Sequence, residues 1–140
     1  MGRFAVEPAI AVKWFVPEQN SSLAARLLDG GNELLASDTL LSAAGRIVTA
    51  KTRLGELSPD EGARIFEAIR SVPIQLMPSQ ALVESALRIA TAFDLPLEAG
   101  LGLTVAIHSE CRLVTASRTF YDKLLGTPFA VHVKWVGDVK

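Results

Sequence analysis

The 140-residue chain has a single cysteine, a single tyrosine, two tryptophans and two histidines. Cys111 alone can form no intramolecular disulfide and no cysteine-rich zinc site, which predicts a reducing compartment, the cytoplasm. It reads as a buried small hydrophobe at the start of a strand. His108 and His132 lack metal-ligand spacing and read as ordinary polar residues. No stretch approaches the roughly 18 apolar residues of a membrane span. The first apolar stretch, residues 4–16, is interrupted by Glu7, Pro8 and Lys13, so neither a membrane partner nor a cleaved signal peptide is expected. Val6 stands where a myristoylation signal needs Ser or Thr. Charge of one sign is also missing. Fourteen Lys and Arg against fifteen Asp and Glu leave a net charge of −1, so no global field draws nucleic acid and any RNA site must be a local patch.

What the chain does have is a core: 49% of its residues are hydrophobic and 21% charged, a balance that predicts one globular domain over residues 1–140. Residues 3–6 read as a buried strand, and 9–15 as a helical turn or two stopped by Pro17. Ser21 or Ser22 is placed to cap a helix with Leu23, Leu27 and Leu28 on one face, ended by Gly30-Gly31. After a strand at 33–36, Asp38 is the expected N-cap of a long helix carrying Leu40, Leu41, Ala44, Ile47 and Val48. Ser58-Pro59-Asp60-Glu61 has the pattern of a capping box, opening a helix to about residue 70. A strand at 73–77, helices at 79–93 and 97–109, and a strand at 113–116 follow. Ser117 then caps a helix to residue 125, and 130–136 is the last strand. This alternation predicts a three-layer α/β/α domain with a five-stranded, mainly parallel sheet. Ligands of such sheets collect beyond the carboxyl ends of the strands, which singles out Glu7 and Ser117.

Four segments, in this order and spacing, resemble PIN domains of the VapC type, the toxin half of bacterial toxin–antitoxin pairs. They are Ala11-Val12-Lys13-Trp14-Phe15-Val16-Pro17-Glu18, residues 34–41, Arg53-Leu54-Gly55-Glu56-Leu57-Ser58, and Cys111-Arg112-Leu113-Val114-Thr115-Ala116. The resemblance implies a PIN-like homodimer, an antitoxin partner, and cleavage of single-stranded RNA with Mg²⁺ or Mn²⁺ held by acidic residues from four places. The first of these positions falls on Glu7, one methylene longer than the family's Asp. The second falls on Ala43, the third on Ala99 and the fourth on Ser117, so three of the four carboxylates are replaced. A register shifted by one puts Glu98 in the third position and restores a second acid. Impaired or absent cleavage is the expectation, with Glu7 and Glu98 able to hold a dication weakly at most.

Arg46 lies three residues after Ala43, on the same helix face, where a guanidinium can replace the metal as a phosphate partner. With Thr115, Ser117 and Arg118 it makes the expected RNA or phosphate contact set, against the plainer reading of a solvated arginine. Trp14, Phe15 and Leu27 are the candidate partner groove, in the region through which the resembling toxins meet their antitoxins; the plainer reading is core. Gly100-Leu101-Gly102 invites a dinucleotide fingerprint, but Val105 occupies its third glycine position and the segment reads as helix. Two alternatives stay open: an active endoribonuclease using Glu7, Glu98 and also Glu18 or Asp38, and an unrelated α/β domain that binds a phosphorylated ligand.

Overall fold

Successive residues of each central strand enter different hydrophobic cores, which is why helices cover both faces of one sheet. A computed structural model describes residues 2–140. Strands β1 (Arg3–Val6), β2 (Glu33–Ser37), β3 (Gln75–Met77), β4 (Arg112–Thr115) and β5 (Val133–Trp135) are all parallel, in the order β3-β2-β1-β4-β5. Leu34 and Val114 face one core while their neighbours Leu35 and Leu113 face the other, the period-two alternation of a sheet buried on both sides. Parallel strands cannot be joined by tight turns, so helices make the crossings. They are α1 (Pro8–Lys13), α2 (Ser21–Ala24), α3 (Leu40–Arg53), α4 (Pro59–Ser71), α5 (Val83–Phe93), α6 (Leu97–His108) and α7 (Arg118–Leu125). From the first four, Ile10, Ala24, Val48 and Ile69 pack with Leu34 and Val114; from the last three, Ala86, Leu103 and Leu124 pack with Leu35 and Leu113. The expected three-layer α/β/α architecture is therefore present. Among the described residues, no single helix is long and apolar enough to cross a membrane.

Local signals held where the cap chemistry is self-contained. The Ser58 hydroxyl accepts the Glu61 amide at 3.1 Å and Glu61 Oε1 accepts the Ser58 amide at 2.9 Å, closing the capping box. Elsewhere tertiary contacts rewrote them. Thr39, not Asp38, occupies the N-cap of α3, and Asp38 instead accepts the Ser79 amide at 3.1 Å, tying the end of β2 to the turn after β3. Ser21 is the first residue of α2 rather than its cap; its hydroxyl donates to the Val16 carbonyl and accepts the Glu18 amide. The helix expected to continue to Leu28 tightens into a 3-10 turn at Ala25–Leu28, and a second such turn at Ser79–Ala81 precedes α5. The last strand is shorter than expected because Pro128–His132 is a 3-10 turn capped by the Thr127 hydroxyl. Gly100 and Gly102 lie inside α6, with no strand leading into them, which removes the dinucleotide reading.

The strand order reverses at β1 and β4, whose following helices leave to opposite faces. That divergence opens a crevice at their carboxyl ends.

Candidate functional site

Glu7 is where β1 turns into α1. Its backbone is extended, φ −81° and ψ 152°, and its carbonyl accepts the Ile10 and Ala11 amides, with Pro8 in the first turn where a missing N–H costs nothing. The side chain makes no capping bond. It turns instead toward β4, where the Thr115 hydroxyl and the Ala116 amide donate to it. Thr115 Oγ1 in turn accepts the Ser117 amide at 3.0 Å, so the two strand ends are laced together through one hydroxyl. Desolvation outweighs both donors and pushes the Glu7 pKa up from 4.5 to about 7, leaving the group close to half-protonated at neutral pH.

Beside it lies a cavity of about 20 Å³, room for roughly one water, lined by Glu7, Ser37, Thr39, Glu98 and Gly102 among others. The Ser37 and Thr39 hydroxyls bond to each other and so satisfy themselves there. Glu7, Pro8 and Glu98 also line a wider groove of about 440 Å³ whose far wall is Ala43, Arg46 and Ile47 of α3. Across its mouth the Arg46 guanidinium is ion-paired with the Glu98 carboxylate. Ala43, the expected second acid position, lines the same groove as Glu7 and offers only a methyl group. Ser117 is exposed, and its hydroxyl accepts the Phe120 amide at 3.2 Å as the cap of α7.

A hard dication surrounds itself with oxygen ligands, and even Mg²⁺, which keeps waters and takes phosphate oxygens, needs one or two free carboxylates. Here one carboxyl is desolvated at the strand end and the other already has an arginine partner. Glu18 is engaged elsewhere: burial works against its charge, but Lys51 and Lys13, at 2.8 and 3.2 Å, outweigh it and hold its pKa below the usual carboxylate range. Asp38 is tied to the Ser79 amide. Among the described residues no three His, Cys, Asp or Glu side chains gather as a metal-binding group. The residues present do not fit the Mg²⁺ or Mn²⁺ that the resemblance implies.

A solved structure shares this fold. A chain of a toxin–antitoxin complex from Klebsiella pneumoniae superposes with a TM-score of 0.60 over 93% of this chain and 94% of that one, at 14% sequence identity. No family model matches the sequence, and no curated protein matches it either.

The remaining expected site residues divide. Thr115 is fully buried with its hydroxyl spent on Glu7 and Ser117, so it drops out of the expected phosphate contacts. Trp14 and Leu27 are core residues, the indole N–H donating to the Ala24 carbonyl at 3.0 Å. Phe15 is partly open and lines, with Leu27, Leu28, Val72 and Pro73, an apolar groove of about 460 Å³ that shares no lining residue with the groove beside Glu7. His132 Nδ1 lies 3.1 Å from the Cys111 carbonyl, a structural contact between the residue before β4 and the turn before β5. Two features had no sequence signal strong enough to find them. The Arg46–Glu98 pair joins residues 52 positions apart. The other is Arg118, whose guanidinium lies 5.1 Å from the ring centres of both Tyr121 and Trp135. Tyr121 is three residues further along α7, whereas Trp135 comes from β5.

Proposed function

We propose that this chain is a cytoplasmic PIN-like domain of the VapC toxin type that binds single-stranded RNA without cutting it, and that it forms a homodimer and accepts an antitoxin. The fold shared with a chain of a toxin–antitoxin complex supports the coarse reading, and the ordered segments around Trp14, Leu34, Gly55 and Val114 support the finer one. The observation that carries the loss of cleavage is local. Three of the four expected acid positions hold Ala43, Ala99 and Ser117, and the spare acid, Glu98, is engaged by Arg46.

Hydrolysis of a phosphodiester needs an activated water and positive charge on the transferring phosphoryl group. In the resembling enzymes a metal supplies both. Arg46 supplies only charge, by exchanging Glu98 for a phosphate oxygen at the groove mouth. Glu7 is left as the single unpaired carboxyl of the expected set, and burial disfavours its charge. Binding without turnover is what such a groove can do.

The test is incubation of the purified chain with end-labelled single-stranded RNA and Mn²⁺. Retarded but uncut RNA, and no saturable Mn²⁺ uptake in calorimetry, are the expected results. Mn²⁺-dependent cleavage abolished by Glu7→Gln would instead establish an active endoribonuclease built on Glu7 and Glu98. Absence of RNA binding alongside uptake of a phosphate monoester would identify a phosphate-ligand domain. Light scattering at twice the chain mass is expected for the dimer.

A further inference from the structure

Arg118 opens α7 directly after Ser117, beside the crevice that holds Glu7. Its guanidinium is held from several sides. The Tyr121 and Trp135 ring centres are each 5.1 Å away, and Asp122 Oδ1 is 3.3 Å from Nε. The two rings are themselves in contact, 6.3 Å apart and tilted by 52°. An arginine on a surface helix ordinarily wanders among many rotamers and loses their entropy when it binds anything. This one is contacted by two rings and a carboxylate that restrict those rotamers, while 59% of its side chain stays exposed. Asp122 balances its charge, so what the cluster presents to solvent is a flat, pre-ordered cationic plane rather than a free point charge.

Its position follows from the sheet register. Trp135 is the parallel partner of Thr115, whose hydroxyl reaches Glu7, so the cluster sits about one strand spacing, roughly 4.8 Å, further along the same carboxyl edge. Guanidinium planes and aromatic rings of this kind stack on nucleobases, a contact that every base can make through its π-face. We propose that Arg118, backed by Tyr121 and Trp135, is a stacking face for one base of a single-stranded nucleic acid whose backbone lies along the crevice. The inference rests on the RNA-binding half of the proposed function and adds where the first base outside the crevice goes. Arg118 is here a binding residue with no part in bond breaking.

Tryptophan fluorescence tests it, because the chain has two tryptophans and Trp14 is buried, its indole N–H bonded to the Ala24 carbonyl. Titration with a labelled oligoadenylate should raise its anisotropy and quench the tryptophan emission saturably. Trp135→Phe should remove the quenching. An abasic oligomer of equal length and charge should not quench at all. Arg118→Ala should weaken binding about tenfold, as expected for one stacked base. Arg118→Lys, which keeps the charge and loses the plane, should weaken it similarly. Wild-type affinity in Arg118→Lys, or equal binding of the abasic oligomer, overturns the stacking face while leaving RNA binding intact. No anisotropy change with any oligomer overturns both this inference and the RNA-binding reading beneath it. Far-UV dichroism of each variant, all altered at partly or fully exposed positions, keeps a folding defect from passing as a binding one.

Discussion

Glu7 faces two opposed demands. The end of β1 puts its carboxyl where Thr115 and Ala116 can donate to it, yet the surrounding side chains strip away water, and the desolvation wins. The consequence for stability has a definite sign. Between pH 4.5 and about 7 the folded chain keeps a proton that the unfolded chain has released, so folding stability falls as pH rises through that window and levels off above it. Gln at this position accepts the same donors and never ionises. Thermal melts from pH 4 to 9 should therefore show Glu7→Gln gaining on the parent protein as pH rises, by on the order of 1–3 kcal/mol at pH 8, with the two nearly equal near pH 4. Parallel pH profiles would show that the carboxyl stays solvated and that the crevice is wetter than its packing implies.

At the scale of elements, two glycines on superficially similar helices make opposite predictions. A Cβ on Gly100 would sit 2.4 Å from the Ala86 carbonyl oxygen, a backbone atom of α5 that cannot step aside, so α5 and α6 cross at direct backbone contact. A Cβ on Gly45 would meet only the edge of the Phe66 ring at 3.5 Å, an ordinary contact. Gly100→Ala should destabilise by about 1–3 kcal/mol as the helices are forced apart, overriding its propensity gain. Gly45→Ala should stabilise by up to about 1 kcal/mol. Denaturant midpoints measured side by side decide both, and equal shifts of the same sign would contradict the crossing geometry. These helices also show what a sequence can and cannot declare. The capping box at Ser58 and the Ser117 cap were legible because each bond closes within four residues. Asp38 misled because its side chain answers to Ser79, 41 residues on, and nothing local distinguishes that from a cap. For the same reason the crevice position of Glu7 was readable from the strand-end rule, while Arg46 was read as free when Glu98 had already claimed it.

At the scale of the whole molecule, the proposed function treats the scaffold and its metal chemistry as separable. The sheet order, the crevice at β1 and β4, and the approach of α3 to Glu7 are all present without the carboxylates that the resembling enzymes carry. If that separation is right, oxygen anions returned to the three replaced positions should find the geometry waiting. Ser117→Asp keeps an N-cap residue at the start of α7, and Ala43, though buried, borders the groove toward which a longer side chain would have to reach. The variant combining Ala43→Glu, Ala99→Asp and Ser117→Asp should lose some stability without metal, through mutual repulsion with Glu7. It should recover that stability in Mn²⁺, by about 2.7 kcal/mol once the ion is at a hundred times its dissociation constant. The readout is a melting temperature several degrees higher with Mn²⁺ than with chelator, against no difference for the parent chain. Cleavage of single-stranded RNA by the variant would go further and recover the activity the resemblance implies. A folded variant whose melting temperature ignores Mn²⁺ would mean that positions 43, 99 and 117 do not converge on Glu7 as the resemblance requires, and the kinship with VapC-type toxins would reduce to a shared sheet.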